Sequence, residues 1–148
     1  MGEDRISENF RFSEFTKSDV AERNHITNAI TSWLVRDNII ALVENILQPL
    51  RDAWEEPLVI NSGYRCLELN KKIGGVSTSQ HVLGQAADVE CSDPLALARL
   101  VKKLELPFDQ MGLYPTFVHL SHSEDRNRGQ IFYSKEYKGE KICDGSYK

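Results

Sequence analysis

The stretch Ser79-Gln80-His81-Val82-Leu83-Gly84-Gln85-Ala86-Ala87-Asp88 sets a histidine and an aspartate seven residues apart, separated by small residues and a glycine. Ala86-Ala87-Asp88-Val89 reads as the start of a buried strand. A carboxylate carried inward needs a compensating partner, and a metal ion is one of the few that suffices. The same spacing also suits a loop in which the two side chains merely hydrogen-bond. A third group bears on the choice. Phe117-Val118-His119-Leu120-Ser121 is a short apolar run with one histidine inside it. As a strand it points Phe117, His119 and Ser121 to one face and Val118 and Leu120 to the other. A histidine there can equally be a satisfied core residue. Together, His81, Asp88 and His119 offer two imidazoles and one carboxylate. That set suits zinc, with a fourth position open to water, and also iron or manganese. A closed structural zinc site favours cysteines, and no Cys-x-x-Cys pair occurs.

Further motifs extend this pattern: Ile60-Asn61-Ser62-Gly63-Tyr64-Arg65, Asn70, Gly74-Gly75, Ser79 to Asp88, Phe108-Asp109-Gln110 and Phe117-Val118-His119. In this order, from about Asn9 to Tyr133, the chain resembles the zinc D-alanyl-D-alanine carboxypeptidases and the related peptidoglycan L,D- and D,D-endopeptidases, which share the hedgehog/DD-peptidase fold. The resemblance implies Zn2+ on His81, Asp88 and His119. It implies a peptidoglycan stem peptide as the partner and an amide as the bond cut, whether D-Ala–D-Ala, L-Ala–D-Glu or a cross-link. It also gives the matching arginine, Arg65, a catalytic or substrate-binding role.

A zinc-bound water has its pKa lowered towards about 7 and can attack an amide carbonyl. The developing oxyanion needs a second cation. Arg65 leaves a strand end at Ser62-Gly63 and can aim its guanidinium back at the metal, where its fork suits an oxyanion or a substrate carboxylate; a structural ion pair is the alternative. Ser79 is expected to orient the loop or touch substrate. It is not expected to be a nucleophile, since the only base beside it, His81, is committed to metal. One departure from the resemblance matters. Many relatives carry a glutamate three to six residues before the last zinc histidine, or a histidine two before it, whereas Leu113 to Val118 contain neither. The general base is therefore open between Asp109, ten residues upstream of His119, and His122, three beyond it, or neither. The missing glutamate favours a rival reading: a non-catalytic peptidoglycan-binding module of the same fold.

The elements that must position these groups follow from periodicity and caps. Residues 1–8 read as a frayed lead. Short helical turns are expected near Ser13 and after Ser18, with Phe10 and Phe15 anchoring the first on the core; His25 falls in a loop. Ile39, Leu42, Val43, Ile46, Leu47, Leu50 and Trp54 repeat at helical spacing, predicting a main helix over 36–54 that Pro49 kinks or breaks. Strands are expected at 58–62, 86–91, 108–114 and 117–121, with helices over 64–73, where Leu69 and Ile73 face inward, and from Pro94. The strands around Pro115-Thr116 are expected to be antiparallel, and a hairpin of 130–133 with 137–142 closes the chain. Helices first, then a mixed sheet with inserted helices, is an α+β class: N-terminal helices on a small, mostly antiparallel sheet, in one domain over 1–148.

Composition narrows the rest. With 148 residues and a net charge of −4 without a basic stripe, a nucleic-acid partner has little support. No apolar run approaches the roughly 20 residues that span a bilayer, so no membrane partner is expected. The start, Met1-Gly2-Glu3-Asp4-Arg5, gives no secretory signal. Cys66, Cys91 and Cys143 read as reduced thiols of a protein folded in the cytosol. A monomer is expected, made in the cytoplasm and reaching a cell wall by a phage-lysin type of release.

Overall fold

The computed structural model describes residues 3–142 and 146–147; Cys143 lies outside them. The elements run α1 (Phe12–Thr16), α2 (Asp19–Arg23), α3 (Trp33–Leu42), a π-helical turn (Val43–Leu47), α4 (Gln48–Trp54), β1 (Val59–Ser62), α5 (Leu67–Lys72), β2 (Ala86–Glu90), α6 (Pro94–Lys103), β3 (Gln110–Leu113), β4 (Phe117–Ser121), β5 (Gln130–Tyr133) and β6 (Ser146–Tyr147). The strands form one sheet ordered β1-β2-β4-β3-β5-β6. Its β1-β2-β4-β3 portion is antiparallel, and β5 joins β3 in parallel, so the α+β expectation holds.

Alternation along the strands divides the sheet into two faces. Ala87 and Val89 on β2, Met111 and Leu113 on β3, Val118 and Leu120 on β4, and Ile131 and Tyr133 on β5 join one core. Ile39, Leu42, Val43, Ile46, Leu47 and Leu50 of the long helical stretch fill that core together with Leu97, Ala98 and Val101 of α6. The register places the intervening residues in one row across five strands. Ser62 pairs with Asp88, Asp88 with His119, His119 with Gly112, and Gly112 with Phe132.

Several local expectations are corrected. The lead is not frayed where it is described. The Asp4 backbone carbonyl accepts from Phe12 N–H, and its carboxylate accepts from the backbone and hydroxyl of Ser13, tying the segment to α1. Ser18 caps α2 as expected, accepting from Ala21 N–H. The main helix begins earlier, capped by Ser32, and Pro49 does not break it. The turn before the proline widens so that Gln48 N–H reaches the Val43 carbonyl, five residues back. Pro49 then falls in the first turn of the next α-helical segment, where its missing N–H costs least.

The helix expected over 64–73 contracts to Leu67–Lys72, and Ile73, expected inward, is exposed beyond its end. The closing hairpin does not form. Tyr137 N–H closes a turn onto Ser134, the Tyr137 ring stacks on Tyr133, and Ile142 N–H donates to the Tyr133 hydroxyl. The outer edge of β5 goes instead to β6, in parallel. Among the described residues no helix is long and apolar enough to cross a membrane.

Candidate metal centre

Asp88 enters the row from β2, the second strand of the sheet, flanked by Ala87 and Val89, which face the core and leave no exposed surface. Small neighbours at Ala86 and Ala87 let the strand sit deep. Asp88 therefore carries the cost of burial, which three neighbouring groups offset. His119 Nδ1 lies 2.8 Å from its Oδ1, His81 Nε2 3.5 Å from the same oxygen, and Arg65 Nη2 3.9 Å from Oδ2. Burial works to raise the Asp88 pKa, but its hydrogen bonds to His119 and His81 and the charges of those rings outweigh it. The carboxyl is held well below the usual carboxylate range.

His81 arrives from the opposite direction, on a loop built to present it. Ser79 Oγ accepts His81 N–H, and the His81 carbonyl accepts from both Arg65 and Gly84 N–H. Gly84 has φ +75, and a Cβ there would lie 2.8 Å from the Val35 carbonyl; the loop thus turns tightly against α3. Asn38, also on α3, donates to the Leu83 carbonyl. His81 Nδ1 lies 2.7 Å from the Gly63 carbonyl. A carbonyl only accepts, so Nδ1 carries a proton, and Nε2 is the ring atom turned toward Asp88.

One ligand atom from each of His81, Asp88 and His119 lies within 4.8 Å of the others. Two imidazole nitrogens and a carboxylate oxygen converging at this range, one ring with its tautomer fixed, are a donor set that fits a zinc-like cation with a vacant coordination position. Arg65 borders the cluster. Its Nε donates to Ser62 Oγ at 3.2 Å and its Nη1 to Asn70 Oδ1 at 3.4 Å. Asn28 braces the segment that carries it, donating to the Tyr64 carbonyl and accepting from Cys66 N–H. Arg65 thus meets the cluster through Asp88, a contact that both an oxyanion role and a structural ion pair allow.

The two residues considered as general base stand apart. Asp109 is fully buried, and its carboxylate accepts from Arg128 N–H (3.1 Å), Arg128 Nε (2.7 Å), Arg128 Nη2 (2.9 Å) and Gln80 Nε2 (3.0 Å). These bonds, chiefly the Arg128 side chain, hold its pKa low. It ties the 123–129 loop to the Gln80 side of the site. His122 is buried with its N–H on the Gln85 carbonyl, and burial pushes its pKa down. Neither lines the open cleft beside His119. That cleft, of about 440 Å³, is bordered by Ser79, Gln80, Tyr114, Arg126, Arg128 and Phe132 among others.

Tyr114, Arg126 and Arg128 also border this cleft, and no sequence motif marks them. Tyr114 stands five residues before His119, in the stretch from Leu113 to Val118 that holds no acidic residue. Its ring stacks on Phe117 at 4.3 Å, and the charges of Asp88 and Glu136 help burial raise its pKa, opposed by Arg65, so it remains a phenol at neutral pH. The arginines left a sequence signal in Arg126-Asn127-Arg128-Gly129, a basic pair in an otherwise mixed tail.

Residues 8–121 match the model of a family described as Peptidase M15. A 44-residue stretch, 29% of this chain, is 41% identical to the zinc D-Ala-D-Ala carboxypeptidase of Streptomyces albus G and spans 17% of that protein's length.

Proposed function

The chain belongs to the peptidase M15 family, and from that premise we propose that it is a zinc metallopeptidase hydrolysing an amide bond in a peptidoglycan stem peptide. The observation that carries this reading is the convergence of His81, Asp88 and His119 within 4.8 Å, bordered by Arg65 and opening beside the Tyr114 cleft. His81, Asp88 and His119 would hold the metal. When bound, zinc supplies Lewis acidity and makes water a competent nucleophile near neutral pH.

The protein's own groups do the rest. Gly63 and Ser79 hold His81 in register, by its side chain and by its N–H. Arg65, braced by Ser62 and Asn70, supplies a fixed positive charge for the developing oxyanion. Ser79 and Gln80 border the substrate path. Tyr114, a neutral phenol on the same cleft, is the donor available to the departing amine or the polarised carbonyl. Asp109 acts here as a positioning residue through Arg128 and Gln80, and His122 as a buried support.

The test is metal content of protein purified without added metal, with release of new amines or amino acids from purified sacculi, in wild type and in His81→Ala and Asp88→Ala. About one zinc per chain and peptide release, both lost in the variants, is the expected outcome. Peptide release that persists in His81→Ala would overturn the assignment.

A second reading, a binding module without turnover, is favoured by one observation: among the described residues no carboxylate lines the cleft. It predicts that zinc-loaded protein co-sediments with sacculi and liberates nothing.

A further inference from the structure

The protein is acidic overall, with 22 Asp and Glu against 18 Lys and Arg. Its cleft is not. Two arginines, Arg126 and Arg128, and His119 border it, and among the described residues no acidic side chain does. The two arginines differ in what they have left to give. Arg128 spends Nε and Nη2 on Asp109. Arg126 is exposed and makes no hydrogen bond or ion pair among the described residues.

The loop that carries Arg126 is held at both ends and internally. Ser123 N–H donates to Asn127 Oδ1 and Asp125 N–H to Ser123 Oγ. Arg128 N–H donates to Asp109 Oδ1, Gly129 N–H to the Phe108 carbonyl and Gln130 N–H to the Asp109 carbonyl. The backbone that carries Arg126 is pinned, and its guanidinium borders a cleft that no acidic side chain lines among the described residues, which leaves it available to an anion that arrives with the ligand. Arg65, by contrast, is already engaged by Asp88, Ser62 and Asn70.

We propose that Arg126 is the carboxylate receptor of this cleft, selecting peptides that carry a free carboxylate close to the scissile amide. The proposal deepens, and rests on, the peptidase reading above. Two carboxylates of a stem peptide have this chemistry: the C-terminal one of D-Ala-D-Ala and the α-carboxylate of a γ-linked D-Glu.

The experiment is isothermal titration of the zinc-loaded protein with matched synthetic stem pentapeptides, followed by turnover of the same peptides. One pair has a C-terminal acid or amide, the other D-Glu or D-isoglutamine. Wild type is expected to bind the acid of one pair about tenfold more tightly than its neutral mate, as a charge-assisted pair on a partly exposed site supports. The pair that discriminates identifies the carboxylate. In Arg126→Gln the preference should fall below about twofold, with Arg126→Lys retaining part of it and zinc content unchanged. Equal binding of acid and neutral peptides by wild type, or a preference intact in Arg126→Gln, would overturn the proposal whether or not the peptides are cleaved. Discrimination that depends on Arg126 with no cleavage of any peptide would uphold the subsite and overturn the peptidase reading.

Discussion

Replacing Asp109 by asparagine separates a loop anchor from a general base. The wild-type carboxylate accepts four hydrogen bonds, two at each oxygen: Arg128 N–H and Nε at Oδ1, and Arg128 Nη2 and Gln80 Nε2 at Oδ2. In Asp109→Asn one oxygen can still accept, but the amide nitrogen confronts two donors. Two charge-assisted bonds are lost at about 1.5–3 kcal/mol each. Arg128 is 39% exposed, and water can recover part of its share, which argues for the lower end of that range. The expected cost is about 3 kcal/mol, a fall in Tm of about 9 °C for a chain of this size. The assay pairs thermal and urea melts with kcat measured well below the variant's Tm. An anchor predicts the large fall in Tm with kcat within about threefold of wild type. A general base would cost about 100-fold or more in kcat. A loss of that size with Tm unchanged would refute the reasoning and return Asp109 to the chemistry.

Tyr114→Phe should lower kcat by about 10- to 100-fold with KM and zinc content unchanged, because it removes a donor but keeps the ring stacked on Phe117; steady-state kinetics and metal analysis check this. Gly112→Ala should cost about 1–3 kcal/mol by urea denaturation, since a Cβ there would meet the Phe132 ring at 2.3 Å and force it away from His119. Acid should destabilise the fold in two stages, read as the midpoint of urea denaturation against pH. His122, its pKa lowered below 6.5 by burial, takes up its proton more readily when unfolded, so stability declines as pH falls through 6.5. Asp109, lowered below 3.8 chiefly by Arg128, contributes stability that is present above 3.8 and lost as pH falls further. His122→Gln should abolish the upper stage, and Asp109→Asn should shrink the lower, which the depressed Asp88 carboxyl shares.

The strands that carry the cluster were legible in the sequence because their apolar runs are short and the ligands interrupt them. Phe117–Ser121 is recovered residue for residue, and β2 is one residue shorter than expected. The aim of Arg65 could be read from the strand end that precedes it. The role of Asp109 could not, because its partner, Arg128, lies nineteen residues away across a loop whose course no local pattern encodes. Tyr114 carries no such mark in the sequence, because the chemistry of a zinc-bound water points to a carboxylate, whereas a phenol on the same cleft can also donate. The accommodation of Pro49 depended on a widened turn upstream, and the hydrophobic stripe reads alike through an α or a π turn. The last hairpin failed because Tyr133 and Tyr137 satisfy each other by ring stacking rather than by strand pairing.

The pairing of Asp88 with His119 across β2 and β4 has a mechanical consequence. Two of the three donors belong to neighbouring strands in the interior of the sheet, so a bound ion would act as a rivet through the ladder. Breaking the ladder would separate two of its ligands, so metal loading would oppose opening of the sheet's centre and slow amide hydrogen exchange on β2 and β4 more than on the outlying β5.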